Sequence, residues 1–148
     1  MDADVKEKIG DLKDQKWMNV EMSFEVLGVE PEITKKSLEE HVGKLRRVKD
    51  VFVFQADLSD VEEVEKPMKG VEKAYSQVAE IGAMVKDLKT LMAVSISYGP
   101  SSIEIIEPKK LEINVGEVQD VANMVAGIIH QIAAAGLGGI VATPKNPR

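Results

Sequence analysis

The sequence contains no cysteine among its 148 residues. Disulfide bonds, thiolate nucleophiles and cysteine-based zinc sites are therefore excluded. Aromatic residues make up only 4% of the chain, and there are two histidines. No apolar run approaches the eighteen or more residues of a membrane span, and the charged start of the chain lacks the apolar segment of an export signal. We therefore expect a soluble, cytoplasmic protein that does not bind a membrane.

The composition that remains is that of an ordinary globular protein. Charged residues account for 30% and hydrophobic residues for 44%, and the formal net charge is −6. A chain of this length fits a single domain over residues 1–148. We expect an amphipathic helix over residues 1–16, an α/β body over 17–143 and a short tail over 144–148. The acidic balance disfavours non-specific binding to nucleic acid.

The first half of the chain alternates between strand and helix patterns. Apolar and polar side chains alternate over Trp17–Leu27, which predicts a half-buried strand. A helix pattern follows over Lys35–Val48, and an apolar run then covers Val51–Leu58. These elements predict a β-α-β unit whose two strands are parallel, with Phe52 and Phe54 on the core side of the sheet.

The second half carries a further helix pattern, a hairpin pattern and a long apolar helix. The helix Glu117–Ala135 is the most apolar, with hydrophobic residues at three- and four-residue intervals. The predicted elements are a helix over Lys69–Leu88, strands at Leu91–Tyr98, Ile103–Ile106 and Leu111–Val115, the helix Glu117–Ala135 and a strand at Ile140–Thr143.

This order of elements predicts an α+β fold. We expect a two-layer sandwich with helices mainly on one face of a mixed sheet. A ferredoxin-like βαββαβ plan, with an extra helix and an extra hairpin, fits the order best. The predicted core includes Phe24, Phe54, Val94, Ile113, Val125 and Ile129.

Residue patterns that carry chemistry are scarce. His41 lies in a charged helix and His130 in the apolar final helix, but the HExxH and CxxC patterns are absent. The acidic run Asp57–Glu65 lacks the spacing of an EF-hand. The glycines from Gly136 onward follow a helix, whereas a phosphate-binding loop precedes one. The sequence therefore predicts no metal, no cofactor and no catalytic residue.

The function that fits these patterns is a non-catalytic module. We expect it to form a homo-oligomer, with a dimer favoured, and to bind a protein or a small ligand. Two alternatives remain open. One is an enzyme with a dispersed polar site near His130. The other is a weak RNA-binding domain that uses the basic helix Lys35–Val48, the first helix of the α/β body. The candidate ligand-binding residues are His130 and Tyr98, and the basic patch consists of Lys44, Arg46, Arg47 and Lys49.

Overall fold

The computed structural model of the protein describes residues 1–136. Within this range the chain forms an α+β fold with four helices and a five-stranded antiparallel sheet, which confirms the predicted class. In chain order the elements are α1 (Ala3–Asp14), β1 (Met18–Gly28), α2 (Pro31–Arg46), β2 (Val51–Leu58), β3 (Glu62–Met68), β4 (Val71–Val85), α3 (Leu88–Tyr98), β5 (Ser102–Glu107) and α4 (Val115–Ala134).

The sheet is built around β4. The strand order is β2-β4-β1-β5, and β3 pairs with the first half of β4 beyond the end of β2. Every strand pair within residues 1–136 is antiparallel, so the predicted mixed sheet is wrong. The strands β1 and β2 do run parallel to each other, because both are antiparallel to β4. They are not neighbours, however, since β4 lies between them.

The segment predicted as a helix over Lys69–Leu88 is the strand β4. Its second half is flanked by strands on both sides and buried on both faces, with five consecutive buried residues from Ile81 to Val85. A strand covered on both faces loses the alternation of apolar and polar residues, and its apolar spacing then resembles that of a helix. The turn before it uses Gly70, whose φ angle is +85°.

The segment predicted as the strand Leu91–Tyr98 belongs to the helix α3, so the predicted hairpin is absent from the structure. Asp87 begins the helix by accepting a hydrogen bond from the Thr90 backbone nitrogen at 2.9 Å. Gly99 ends it in the left-handed conformation, with φ +58°, as is common at helix C-termini. The strand predicted at Leu111–Val115 is also wrong, since residues 108–114 form no strand.

The main core lies between one face of the sheet and the helices α2 and α3. Phe24 and Val94 belong to it, as predicted, and are 2% and 1% exposed. The buried hydrophobic residues of this core are Met18, Val20, Met22, Phe24, Leu38, Val42, Leu45, Val51, Val53, Ala79, Ile81, Ala83, Val85, Leu91 and Val94. The predicted core residues Ile113, Val125 and Ile129 are exposed, and these predictions are wrong.

Phe52 and Phe54 lie on the opposite face of the sheet, contrary to the prediction. Val51 and Val53 are the core-facing residues at the start of β2, and a β-bulge then shifts the register between Val53 and Gln55. The bulge returns later residues of the strand to the core side, so unbroken alternation could not assign both halves correctly. Both phenylalanines are half-buried.

The helix α1 covers part of this opposite face. The Lys8 ammonium nitrogen lies 4.4 Å from the centroid of the Phe52 ring, and Leu12 is buried. Lys13 forms an ion pair of 2.8 Å with Glu107 on β5. The helix therefore contacts strands at both edges of the sheet.

The chain divides into two compact units. The first is Met1–Leu111 and contains α1, α2, α3 and the sheet, while the second begins at Glu112 and contains α4. Asn114 caps α4 by accepting a hydrogen bond from the Glu117 backbone nitrogen at 2.8 Å.

A single domain over 1–148 stays a prediction. The strand predicted at Ile140–Thr143 and the tail 144–148 lie outside the described residues. Among the four helices of residues 1–136, none has the length and hydropathy that crossing a membrane requires.

Candidate functional site

A small cleft opens between α2, β1 and the C-terminal end of α3. Its volume is about 250 Å³, slightly below the usual range for pockets that hold drug-sized ligands. Its walls are mostly apolar and aromatic, and its polar lining residues include Glu25, Ser37 and His41. The side chains that shape it are those of Phe24, Val26, Ser37, Leu38, His41 and Tyr98. We call it the α2–α3 cleft.

His41 is held in a fixed orientation at this cleft. Its Nε2 atom lies 2.9 Å from the backbone oxygen of Tyr98. A carbonyl oxygen can only accept, so Nε2 carries the hydrogen and Nδ1 is the acceptor when the ring is neutral. The imidazole also contacts the rings of Phe24 and Tyr98, with centroid distances of 5.3 Å to each. Main chain and aromatic contacts together therefore position this histidine.

Local sequence explains how these two residues meet. On α2, the buried residues Leu38 and Leu45 recur at helical spacing, and His41 lies on the same side between them. On α3, Tyr98 is the last helical residue, and Gly99 ends the helix. The carbonyl groups at the end of a helix have no intrahelical partner, so the Tyr98 oxygen can accept from His41.

The predicted ligand-binding residues fall in different units. Tyr98 lies in the cleft, half-buried, and its histidine neighbour is His41. His130 is exposed on α4, which belongs to the second unit. The pairing of His130 with Tyr98 therefore stays a prediction. Sequence reasoning missed His41, although its spacing from Leu38 and Leu45 could have indicated a position on the inner side of α2.

The basic patch predicted on and after α2 is exposed. Its members are Lys44, Arg46, Arg47 and Lys49. Glu39 and Glu40 border the same shallow groove as two of them, so charges of both signs line it. The Arg46 guanidinium also lies 3.5 Å from the backbone oxygen of Val53. The surface is therefore of mixed charge.

The part of the sheet that α1 leaves open is acidic. Its exposed carboxylates, which we call the acidic face, are Glu21, Glu25, Asp57, Glu80 and Glu104. Two pairs of them lie directly opposite each other on neighbouring strands, Glu21 with Glu104 and Asp57 with Glu80. Like charges in this arrangement repel. Over residues 1–136, no group of histidine and carboxylate side chains is arranged to hold a metal ion.

The helix α4 carries a continuous row of exposed apolar side chains. The row repeats at alternating three- and four-residue intervals, and its five large members are 37% to 81% exposed. Such a repeat is typical of a helix that packs along another helix. The row, which we call the α4 stripe, consists of Val115, Val118, Ala122, Val125, Ile129 and Ile132. Val121, Met124 and Ile128 form a second, half-buried row beside it.

The strand β5 is the second exposed apolar element. It ends the sheet in the part of the chain that the structure describes, and all six of its residues are exposed. Ile103 and Ile105 lie opposite Met22 and Val20 of β1, so they extend the core face to the edge of the sheet. An exposed apolar edge strand is a surface that other chains can contact.

These features define an α+β module with a small cleft and an exposed apolar helix, α4. The sequence model of the MJ0538 family matches residues 19–146, and the chain belongs to this family. The family description states no activity. Searches of the curated proteins and of the solved structures found no match.

Proposed function

We propose that the protein is a non-catalytic module that acts by self-association, forming a homo-oligomer whose basic unit is a dimer. The observation that carries this proposal is the exposed α4 stripe. Fully burying a valine or isoleucine side chain stabilises by about 1.5–3 kcal/mol relative to leaving it in water. Pairing two copies would bury two sets of such side chains at once, and the repeat spacing suits a second helix.

We also propose a finer description of the fold. The order β1-α2-β2-β4-α3-β5, with strand order β2-β4-β1-β5, fits a ferredoxin-like plan of two β-α-β halves. In this plan β3 extends the β2 edge, and α1 and α4 are additions. We propose that these elements act as one domain. The absence of cysteine is in keeping with a cytoplasmic location, where thiols stay reduced.

Analytical ultracentrifugation over a wide concentration range tests self-association. We expect the wild-type protein to form a dimer or higher oligomer at the higher concentrations. Val125→Asp places a charge in the middle of the α4 stripe and should yield a monomer, because an unpaired charge is costly to bury. Asn123→Asp is the matched control, since it adds the same charge on the polar side of α4 and should leave association unchanged. A wild-type monomer mass at every concentration would contradict the proposal.

A second candidate function is the binding of a small ligand in the α2–α3 cleft. The position of His41 between two aromatic rings favours it. The mostly apolar walls suit an uncharged, planar molecule smaller than a typical drug. We expect phenol or indole to shift the NMR resonances of His41 and Tyr98, and we expect Tyr98→Leu to weaken this effect. Shifts that are absent, or that are spread evenly over the molecule, would count against the site.

The two alternative functions have weaker support. An enzyme site near His130 would require that residue to gather polar partners, and His130 is exposed on a mostly apolar helix. RNA binding through the sheet is disfavoured by the acidic face, which repels phosphate, and by Phe52, which lies under Lys8. RNA binding through the basic patch would require a salt-sensitive affinity that falls when Arg46 and Arg47 are neutralised.

A further inference from the structure

The charges of α4 are concentrated at one end. Glu117 and Asp120 lie in its first two turns, and the helix contains no lysine or arginine. Among the residues of α4 itself, His130 is the one near the other end that can carry a positive charge. The helix dipole adds a partial positive charge at the N-terminus and a partial negative charge at the C-terminus. The two ends of α4 therefore differ in charge, so the two possible orientations of a helix pair are not equivalent.

We propose that two copies of the chain pair through the α4 stripe in an antiparallel orientation. In this arrangement Val118 packs against Ile129 of the partner subunit. The inference rests on the proposed self-association and names the surface and the orientation that it uses.

Side-chain size along the stripe favours the antiparallel orientation. The stripe begins with the valines Val115 and Val118 and ends with the isoleucines Ile129 and Ile132. Antiparallel pairing places each isoleucine opposite a valine, so the distance between the helix axes can stay constant. Parallel pairing would place isoleucine opposite isoleucine at one end and Ala122 opposite its own copy nearer the other. Packing without gaps is easier when large residues face smaller ones.

Charge favours the same orientation. Parallel pairing would bring Glu117 and Asp120 of both copies to the same end and would align the two helix dipoles. Antiparallel pairing separates the two copies of Glu117 by about 20 Å, and the two copies of Asp120 by about 10 Å, along the helix axis. Both separations exceed the screening length of about 8 Å at physiological salt. Each acidic end then lies near the end of the other helix that carries the histidine.

Cysteine cross-linking tests the orientation directly, because the natural chain has no cysteine. Two variants, Val118→Cys and Ile129→Cys, are oxidised separately and also as an equal mixture after subunit exchange. In an antiparallel pair the two copies of residue 118 are about 16 Å apart along the axis, too far for a disulfide. We therefore expect the cross-linked dimer to form in the mixture and in neither variant alone. Asn123→Cys, on the polar side of α4, is the control and should not cross-link.

Each other outcome has a distinct meaning. Cross-linking of either variant alone would overturn the antiparallel orientation and leave self-association standing. A wild-type dimer in ultracentrifugation without cross-linking in the mixture would overturn pairing through the α4 stripe. A wild-type monomer at every concentration would overturn the proposed self-association itself, and this inference with it.

Discussion

Gly82 on β4 lies against the ring of Phe54 on β2, so replacing this glycine with alanine tests how the two strands pack. A Cβ atom added at this residue would lie 2.8 Å from Cε1 and 3.0 Å from Cζ of Phe54, whereas carbon atoms in good contact are about 3.5–4.0 Å apart. In a strand with room for the added methyl group, alanine in place of glycine would stabilise the fold by about 0.5–1 kcal/mol. Because the phenylalanine ring must be displaced, we expect Gly82→Ala to lower the free energy of unfolding by about 1–3 kcal/mol instead.

A double-mutant cycle separates this clash from other effects of the substitution. With Phe54→Ala already present the added methyl group has room, so Gly82→Ala should be neutral or stabilising by up to about 1 kcal/mol. The expected coupling energy is then about 2 kcal/mol. Urea unfolding can be followed through Trp17, the single tryptophan. Gly10, whose added Cβ meets nothing within 4 Å, is the control, and Gly10→Ala should stabilise α1 by about 1 kcal/mol. Equal losses for Gly82→Ala in both backgrounds would refute the reasoning.

Three further predictions concern the core, the cleft and one ion pair. Phe24→Ala should cost about 3–5 kcal/mol in the same unfolding assay, and a loss below about 1 kcal/mol would place this ring outside the core. His41→Phe keeps a ring but removes the hydrogen bond to Tyr98, so it should cost about 0.5–1.5 kcal/mol, and no loss would mean that the bond is not formed. The Glu63 carboxylate, which hydrogen-bonds Lys73 at 2.6 Å, raises the pKa of Lys73. This ion pair therefore stabilises the fold below the ordinary lysine pKa of about 10.4, and the contribution is lost as pH rises through the folded-state pKa. Glu63→Gln should lower the pKa of Lys73 in an NMR titration, and an unchanged value would contradict this cause.

The parts of the fold that could be predicted are those whose apolar residues lie on a single face. The strand β1 alternates cleanly because one face is core and the other is polar. The helix α4 shows its period because its apolar residues fall on one side. In both elements the pattern reflects a single buried or apolar face, which is the situation that periodicity detects.

The sequence pattern predicts a helix where the strand β4 lies and a strand where the helix α3 lies, and both errors have a physical reason. The second half of the central strand β4 is buried on both faces, so it carries apolar residues on both faces and its period of two disappears. The helix α3 is so apolar that its period is weak, and two boundary residues were the better guide. Asp87 is a helix cap and Gly99 is a helix end, but the sequence interpretation used Gly99 as part of a hairpin turn.

The candidate site was predictable only in part. The sequence singles out Tyr98, which lies in the cleft, but its neighbour His41 depends on where α3 ends, and that required the helix to be recognised first. The apolar side of α4 followed from residue spacing alone. Its exposure did not, because a period shows which residues share a side and gives no information on what covers them. The predicted burial of Val125 and Ile129 failed for this reason.

The acidic face has a consequence for how two molecules can approach each other. Each carboxylate in it, such as Glu21 or Glu80, holds a shell of water that must be removed before another surface can make contact. Removing that water from a charged group costs several kcal/mol unless a partner charge replaces it. A second acidic face would supply only more negative charge. The open side of the sheet therefore keeps its water, and contact between two acidic faces is unfavourable.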